Sequence, residues 1–455
     1  MRKIGSALAF LIVGLFLVSF IAVPANAVTT PITGWDVGDK WAMGKEMDIG
    51  ANFTDMKGEI EDMIEGYLNL TVNKLDVDGT ACFYVLFEVT GETATTYIVT
   101  SKVAMKLDTK IDVSVSGMLP AAGTYSYSDN PFNPDSTVAK QSKTVTVDVT
   151  EKLGVVMTTT AIVQKSSHAI SNITMQTNGA FCLEVDANNI PNVNSSSGQQ
   201  VLSYKNYDLG VKACIDLTMY MDFSPALDLF QLPVMQGELW YTNSSTMTMS
   251  GQVTGFVDAH GLEDEWKESI FTEEFVEATG SSDFPINLDK LNSEDANITN
   301  GHFGPVTNEI PPMKMRCLST SVTHEVNGVS KEYLVIEVND AQKILYCPTL
   351  GFMCGGAVST ETDDMPIELP EGTDMFTGML GDELSMDPLS ADSVAGEISS
   401  IESYTSSVEK EATGGSSIAD FFFSSPYLGT LMVIGAAACI GIILYVGTRG
   451  RKPGP

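Results

Sequence analysis

Tyr97-Ile-Val-Thr-Ser-Lys-Val-Ala-Met-Lys-Leu-Asp-Thr-Lys-Ile-Asp-Val-Ser-Val115 decides how this chain folds. Its odd positions run Tyr97, Val99, Ser101, Val103, Met105, Leu107, Thr109, Ile111, Val113 and Val115, whereas the even ones carry Thr100, Lys102, Lys106, Asp108, Lys110, Asp112 and Ser114. Side chains along a strand alternate between faces, so a period of two sets one face against a core and the other in water. Ala213, Ile215, Leu217, Met219, Met221 and Phe223 alternate with Asp216, Thr218, Tyr220 and Asp222 in the same way, as do Val145, Val147 and Val149 with Thr144, Thr146 and Asp148. Half-buried antiparallel strands have this signature. The expected class is mainly β with a few helices (α+β). Asp78-Gly79, Asn178-Gly179 and Asn327-Gly328 read as hairpin turns, because such pairs accept positive φ.

Two stretches repeat. Gly38-Asp39-Lys40-Trp41 matches Gly237-Glu238-Leu239-Trp240, and Asp76-Val77-Asp78-Gly79, Tyr84, Glu88-Val89 and Tyr97 match Glu325-Val326-Asn327-Gly328, Tyr333, Glu337-Val338 and Tyr346. The expectation is two related antiparallel curved-sheet or half-barrel modules, 28–226 and 227–358. The second carries a helical insertion near 261–280, where Leu262, Trp266, Ile270 and Phe271 share a side. A further helix is expected over Asp55 to Tyr67, from Met56, Ile60, Met63, Ile64 and Tyr67.

The ends are apolar. Arg2 and Lys3, the run Ile4 to Val23 and Ala25-Asn26-Ala27 form a signal peptide over 1–27, with an uncleaved anchor as the other reading. Tyr427 to Val446 is uncharged over a bilayer-spanning length and is expected as a transmembrane helix. Arg449, Arg451 and Lys452 in the tail 447–455 put the C-terminus in the cytoplasm and the ectodomain outside. Between 359 and 426 the composition is Ser, Thr, Gly and acid, with Lys410 the one base from Glu361 to Asp420. That composition suits an extended stalk. Val394, Ile398, Ile401 and Val408 mark a short helix within it, and this stripe and the span are the two candidate seams for weak self-association.

All 58 Asp and Glu lie between the apolar ends; setting aside Arg2, Lys3, Arg449, Arg451 and Lys452 leaves 20 bases there, a net charge of −38. Such a field repels nucleic acid and attracts cations, so divalent ions at an acidic surface are expected partners. Cys82, Cys182, Cys214, Cys317, Cys347 and Cys354 fall in the exported part, an even number that suits disulfides, with Cys347 to Cys354 the preferred local bridge. The alternative is six small buried apolar side chains. Asn52, Asn69, Asn172, Asn194, Asn243 and Asn297 are glycosylation sequons.

Nucleophile elbow, Walker loop, dinucleotide fingerprint and His-Glu-x-x-His are missing, so no catalytic, cofactor or metal residues are assigned. His260 with Glu263, Asp264 and Glu265 resembles a divalent-ion cluster, but a helix start explains it more simply. Asp76-Val-Asp78-Gly79 opens like a calcium loop without its later ligands. Asp186-Ala-Asn188-Asn189 reads as a turn. Met105, Met219, Met221, Met247 and Met249 on apolar faces suit either an aliphatic ligand or ordinary sheet packing.

The plan of signal peptide, acidic β-rich ectodomain opening on Val37-Gly-Asp-Lys-Trp41, acidic Ser/Thr stalk, single span and basic tail resembles uncharacterised archaeal cell-surface proteins. The Gly-Asp/Glu-x-Trp openings are similar to those of half-barrel lipoprotein carriers. The tether, the repeat and the missing catalytic groups point to a non-enzymatic, membrane-anchored surface protein whose paired modules bind something outside the cell or form part of the envelope. A carrier of a lipid or other apolar ligand is the alternative, and an extracellular hydrolase comes third.

Overall fold

The structure, a computed structural model, describes residues 34–68, 70–126, 137–196, 199–230, 234–261, 276, 280, 284–292, 297–339, 342–359 and 383–412. The segments expected as signal peptide, span and tail, and nearly all of the expected 261–280 insertion, lie outside the described residues. No helix of the described residues is long and apolar enough to cross a membrane.

The expected class holds: 70% of the structure is strand and 13% helix. The first part comprises β1 (Lys40–Asp48), α1 (Ile49–Leu68), β2 (Thr71–Glu92), β3 (Thr96–Pro120), β4 (Gly123–Ser126), β5 (Lys140–Gln164), β6 (Ile170–Ser196) and β7 (Gln199–Leu227). Then follow β8 (Leu239–Tyr241), β9 (Ser245–His260), β10 (Ile286–Asn287), β11 (Ile298–Thr299), β12 (His302–Ile310), β13 (Lys314–Val326), β14 (Val329–Val338), β15 (Gln342–Cys347), β16 (Phe352–Ser359), β17 (Glu383–Leu389) and α2 (Ala391–Ala412).

Antiparallel pairing runs β1–β2–β3–β5–β6–β7–β9–β12. Beyond the β9–β12 pair a 3.0 Å hydrogen bond from the Thr242 N–H to the Met313 carbonyl carries the same register into β8–β13. From there it continues β13–β14–β15–β16–β17 and returns to β1. The circuit closes through the corner where β12 pairs with β9 and at its start with β11, and β8 pairs with β13. Strands β2, β3, β5, β6 and β7, of 22 to 29 residues, overshoot this ring as a curved sheet. On one face of that overhang Ile111, Val115, Val145, Val147 and Val149 meet Phe53, Ile60 and Ile64 of α1. Asp48 caps α1 by accepting from the Ala51 N–H at 2.8 Å.

The ring is filled from within. Trp35 stacks on His168 at 4.3 Å and Trp41 on Phe87 at 5.2 Å, with Phe352 edge-on to all but His168, and Phe230 beside Tyr346 at 5.2 Å. These rings come from both expected modules, and β7 of the first pairs from Gly210 to Ser224 with β9 of the second. The 28–226 and 227–358 segments therefore share one core instead of packing as two.

The repeat survives only at its opening turns. Gly38 and Gly237 both have positive φ (101° and 76°). Their N–H groups donate to Val89 and Cys317 carbonyls at 2.8 and 2.9 Å, while Asp39 and Glu238 side chains accept from the amides of Asp36 and Met235. The structural counterpart of Val89 is thus Cys317, not Val338. Asn327-Gly328 makes the β13–β14 turn, but Asp78-Gly79 lies inside β2 and Asn178-Gly179 inside β6. Asn178-Gly179 sits between the β5 and β7 ladders, which carry the strand through a turn-prone pair, whereas Asp78-Gly79 is laddered to Lys110 and Thr109 of β3 just beyond the last β1 partner, Thr80.

The expected stalk is corrected over 383–412. There β17 joins β1 to β16, and α2 lies across the sheet with Val394, Ile398, Ile401, Thr405 and Val408 each at most 2% exposed. Glu402 meets Lys102 at 2.6 Å, Glu411 meets Lys152 at 2.8 Å, and Tyr404 Oη donates to the Leu107 carbonyl at 2.9 Å. The self-association stripe is therefore turned into the protein's own sheet.

Candidate functional site

The face of the overhang opposite α1 is polar, and register gives it an arrangement no local window shows. Asp76 stands opposite Asp112, Asp112 opposite Asp148, Asp148 opposite Asp186, and Asp186 opposite Asp208. Five carboxylates form one row across five adjacent strands. Directly opposed side chains have Cβ atoms about 5 Å apart, and like charges so placed destabilise a sheet. Lys74 relieves one end, 2.8 Å from Asp112 and 3.8 Å from Asp76, and Lys110 adds a contact to Asp112 at 3.1 Å. Asp112 is held below the usual carboxylate range by a hydrogen bond from the Asp148 carboxyl, then by Lys74 and Lys110. The same contact pushes Asp148 up. Towards β7, Asn188 Nδ2 donates to Asp186 at 2.8 Å.

One step along this face the row of β6, β7 and β9 reads Glu184, Gly210, His260. The ligand atoms of Glu184, Asp208 and His260 lie within 4.8 Å of one another. His260 Nε2 is 3.4 Å from Asp208 Oδ1 and 3.7 Å from Glu184 Oε2. Gly210 makes the gathering fit: a Cβ there would lie 2.6 Å from Glu184 Oε2 and 2.7 Å from His260 Nδ1. Lys212 Nζ binds Glu184 Oε1 at 2.7 Å, and that bond raises its pKa. Asp258, opposite Lys212 and two residues before His260, is 5% exposed, and its Oδ1 is buried without a hydrogen-bond partner. Burial pushes its carboxyl up to about 6 against the pull of His260 and Lys212.

Of the residues singled out in the sequence, His260 is here, with Glu184 and Asp208 in place of Glu263, Asp264 and Glu265, which lie outside the described residues. Asp76 and Asp186, read as parts of a calcium-loop opening and a turn, belong to the row. The turn at Asn188-Asn189 is a β-bulge in β6, where Asn189 has φ 58°.

The six cysteines are free in the structure, five of them buried and Cys82 half-buried, and none stands at disulfide distance from another. Cys182 and Cys214 lie diagonally on β6 and β7 under α2, and burial raises both, to about 11 and 12. Cys82 is likewise raised to about 11 by burial beside α2, and Cys317, in the ring core, to about 11. Cys347 and Cys354 face each other across the β15–β16 hairpin as thiols: contact with Cys354 and then Thr349 lowers Cys347 to about 6.

Among the sequons, Asn243 uses its amide at 2.9 Å on both the Asp228 N–H and the Ala226 carbonyl, holding the β7–β8 loop. Asn172 is half-buried in β6, and Asn297 is exposed in a turn. Asn69 and the side chains of Asn52 and Asn194 lie outside the described residues. Met219, Met221, Met247 and Met249 are buried in the ring core, at most 6% exposed, and Met105 is half-buried. The protein's own side chains cover the four ring methionines.

Comparison with protein families, curated proteins and solved structures finds no match to this chain.

Proposed function

We propose that the chain is a membrane-anchored extracellular surface protein with a non-enzymatic envelope or binding role, its carboxylate face turned to the cations of the medium. The observation that carries this reading is the five-aspartate row. A cation-rich exterior screens such a row, since the Debye length falls from about 10 Å at 0.1 M to about 3 Å at 1 M ionic strength. The apolar segments 1–27 and 427–446 and the basic tail supply the route out and the tether, and the likeness to archaeal surface proteins agrees with both. The self-filled ring suits a display or envelope part more than a vessel.

Protease added to intact cells is expected to remove the 34–412 region and leave a small membrane fragment. Protection of the bulk of the chain, or its recovery in the cytosol, overturns the reading. The row itself predicts that Asp148→Asn stabilises the full chain by about 0.5–1 kcal/mol at low ionic strength. The gain is expected to vanish near 1 M salt. Chemical denaturation at both ionic strengths reads the difference, and a gain unaffected by salt removes screening from the account.

A further inference from the structure

We infer that Glu184, Asp208 and His260 form a discrete divalent-metal site, with the buried carboxylate of Asp258 beside it, and that it takes a first-row transition ion rather than Ca²⁺ or Mg²⁺. The inference stands apart from where the chain is displayed. Three adjacent strands contribute one ligand atom each within 4.8 Å. That convergence is built and not a by-product of an acidic surface, because it depends on Gly210, whose missing side chain leaves the space His260 and Glu184 occupy.

Asp258 supplies the second observation. Its Oδ1 is buried without a hydrogen-bond partner, on the face and strand that carry His260. A buried carboxylate without a donor is costly, and although Asp258 is not one of the three ligands, a cation held beside it on this face offsets that cost through space. Lys212 occupies the other oxygen of Glu184, Oε1, leaving Oε2 directed to His260. The donor set then holds one imidazole nitrogen and carboxylate oxygens. Imidazole favours Zn²⁺, Ni²⁺ and their neighbours, whereas Ca²⁺ and Mg²⁺ prefer all-oxygen shells. Mn²⁺ accepts both donor types and avoids the chain's thiols better than softer ions do, which makes it the probe.

The full chain in detergent is titrated with Mn²⁺ and free ion is read by electron paramagnetic resonance. One Mn²⁺ per chain is expected above the weak background of the acidic surface, displaced by Zn²⁺ at lower concentration than by Ca²⁺. His260→Gln and Asp208→Asn are each expected to weaken it tenfold or more, and Gly210→Ala to do the same by displacing the ring. Asp148→Asn, in the same row but away from the cluster, is expected to leave it unchanged. Asp208 has an 89% exposed side chain, so its variant keeps the test open should a His260 variant fail to fold. Equal displacement by Ca²⁺ and Zn²⁺, or binding that survives both Asp208→Asn and Gly210→Ala, reduces the cluster to diffuse counter-ion attraction and overturns the site.

Discussion

Glu151→Gln is expected to stabilise the protein by roughly 3 kcal/mol at pH 7. Glu151 is 4% exposed on the apolar face of β5, opposite Thr109 of β3 and Leu183 of β6. Along that face it interrupts Val145, Val147, Val149, Leu153 and Met157, at the border between the α1-covered cluster and the next one. Burial raises its carboxyl from 4.5 to about 8. A raised folded-state pKa means that the acid form is the one the fold accommodates. Its contribution is full below pH 4.5 and is lost as pH climbs towards 8, at roughly 1.4 kcal/mol per pH unit.

Glutamine keeps the shape and cannot ionise. Urea denaturation of the full chain from pH 4 to pH 9 is expected to give two curves that meet near pH 4.5, diverge through neutrality and run parallel above pH 8. The surface acids repel equally in both proteins, so the difference isolates this one group. A constant gap across the range, or a variant less stable at pH 7, shows that the carboxylate has a partner in the folded state.

The two-residue period that betrays β3 and β5 also hides Glu151. Alternation assigns residues to a face, and the odd face of β5 was legible at Val145, Val147 and Val149, all buried. Nothing in the period tells that one acid further along the same face is buried too. The aspartate row was illegible for a different reason: it exists only once register is set, and register is a non-local property of paired strands. A trace was present, since Asp76, Asp112 and Asp148 are evenly spaced at 36 residues in the sequence. Equal strand-plus-turn lengths are what bring such residues level.

The pair Asn178-Gly179 misled because turn chemistry is local, whereas β6 is held by 18 matched residues of β5 and 24 of β7. The α1 helix was found from its apolar spacing, though it begins at Ile49, six residues before Asp55. The second helix was found too, from Val394, Ile398, Ile401 and Val408, but placed in a stalk because the acidic composition of some sixty residues was averaged over it. Its serines 399, 403 and 407 turn outward and bond back to helix carbonyls. The apolar stripe alone decides where the helix goes.

That docking has a single vulnerable point. Gly154 on β5 lies under the middle of α2, where a Cβ would meet Thr405 with Cα at 2.8 Å and Cβ at 2.9 Å. These are backbone and Cβ atoms, so no rotamer change relieves the clash. Gly154→Val is expected to cost about 3 kcal/mol, the upper range for overpacking, because the helix must lift from the sheet. Lifting also strains the Lys152–Glu411 and Lys102–Glu402 pairs and uncovers Ile401 and Val408, both buried at 2% or less. Gly179→Ala is the matched control: its nearest neighbour would be Val155 Cγ2 at 3.6 Å, an ordinary contact, and a change below 1 kcal/mol is expected. Hydrogen exchange should then show lost protection along residues 391–412 in Gly154→Val alone, with the ring strands still protected. If the valine variant keeps α2 protected and loses no stability, the helix is not held by close packing on β5, and its ion pairs must carry the docking instead.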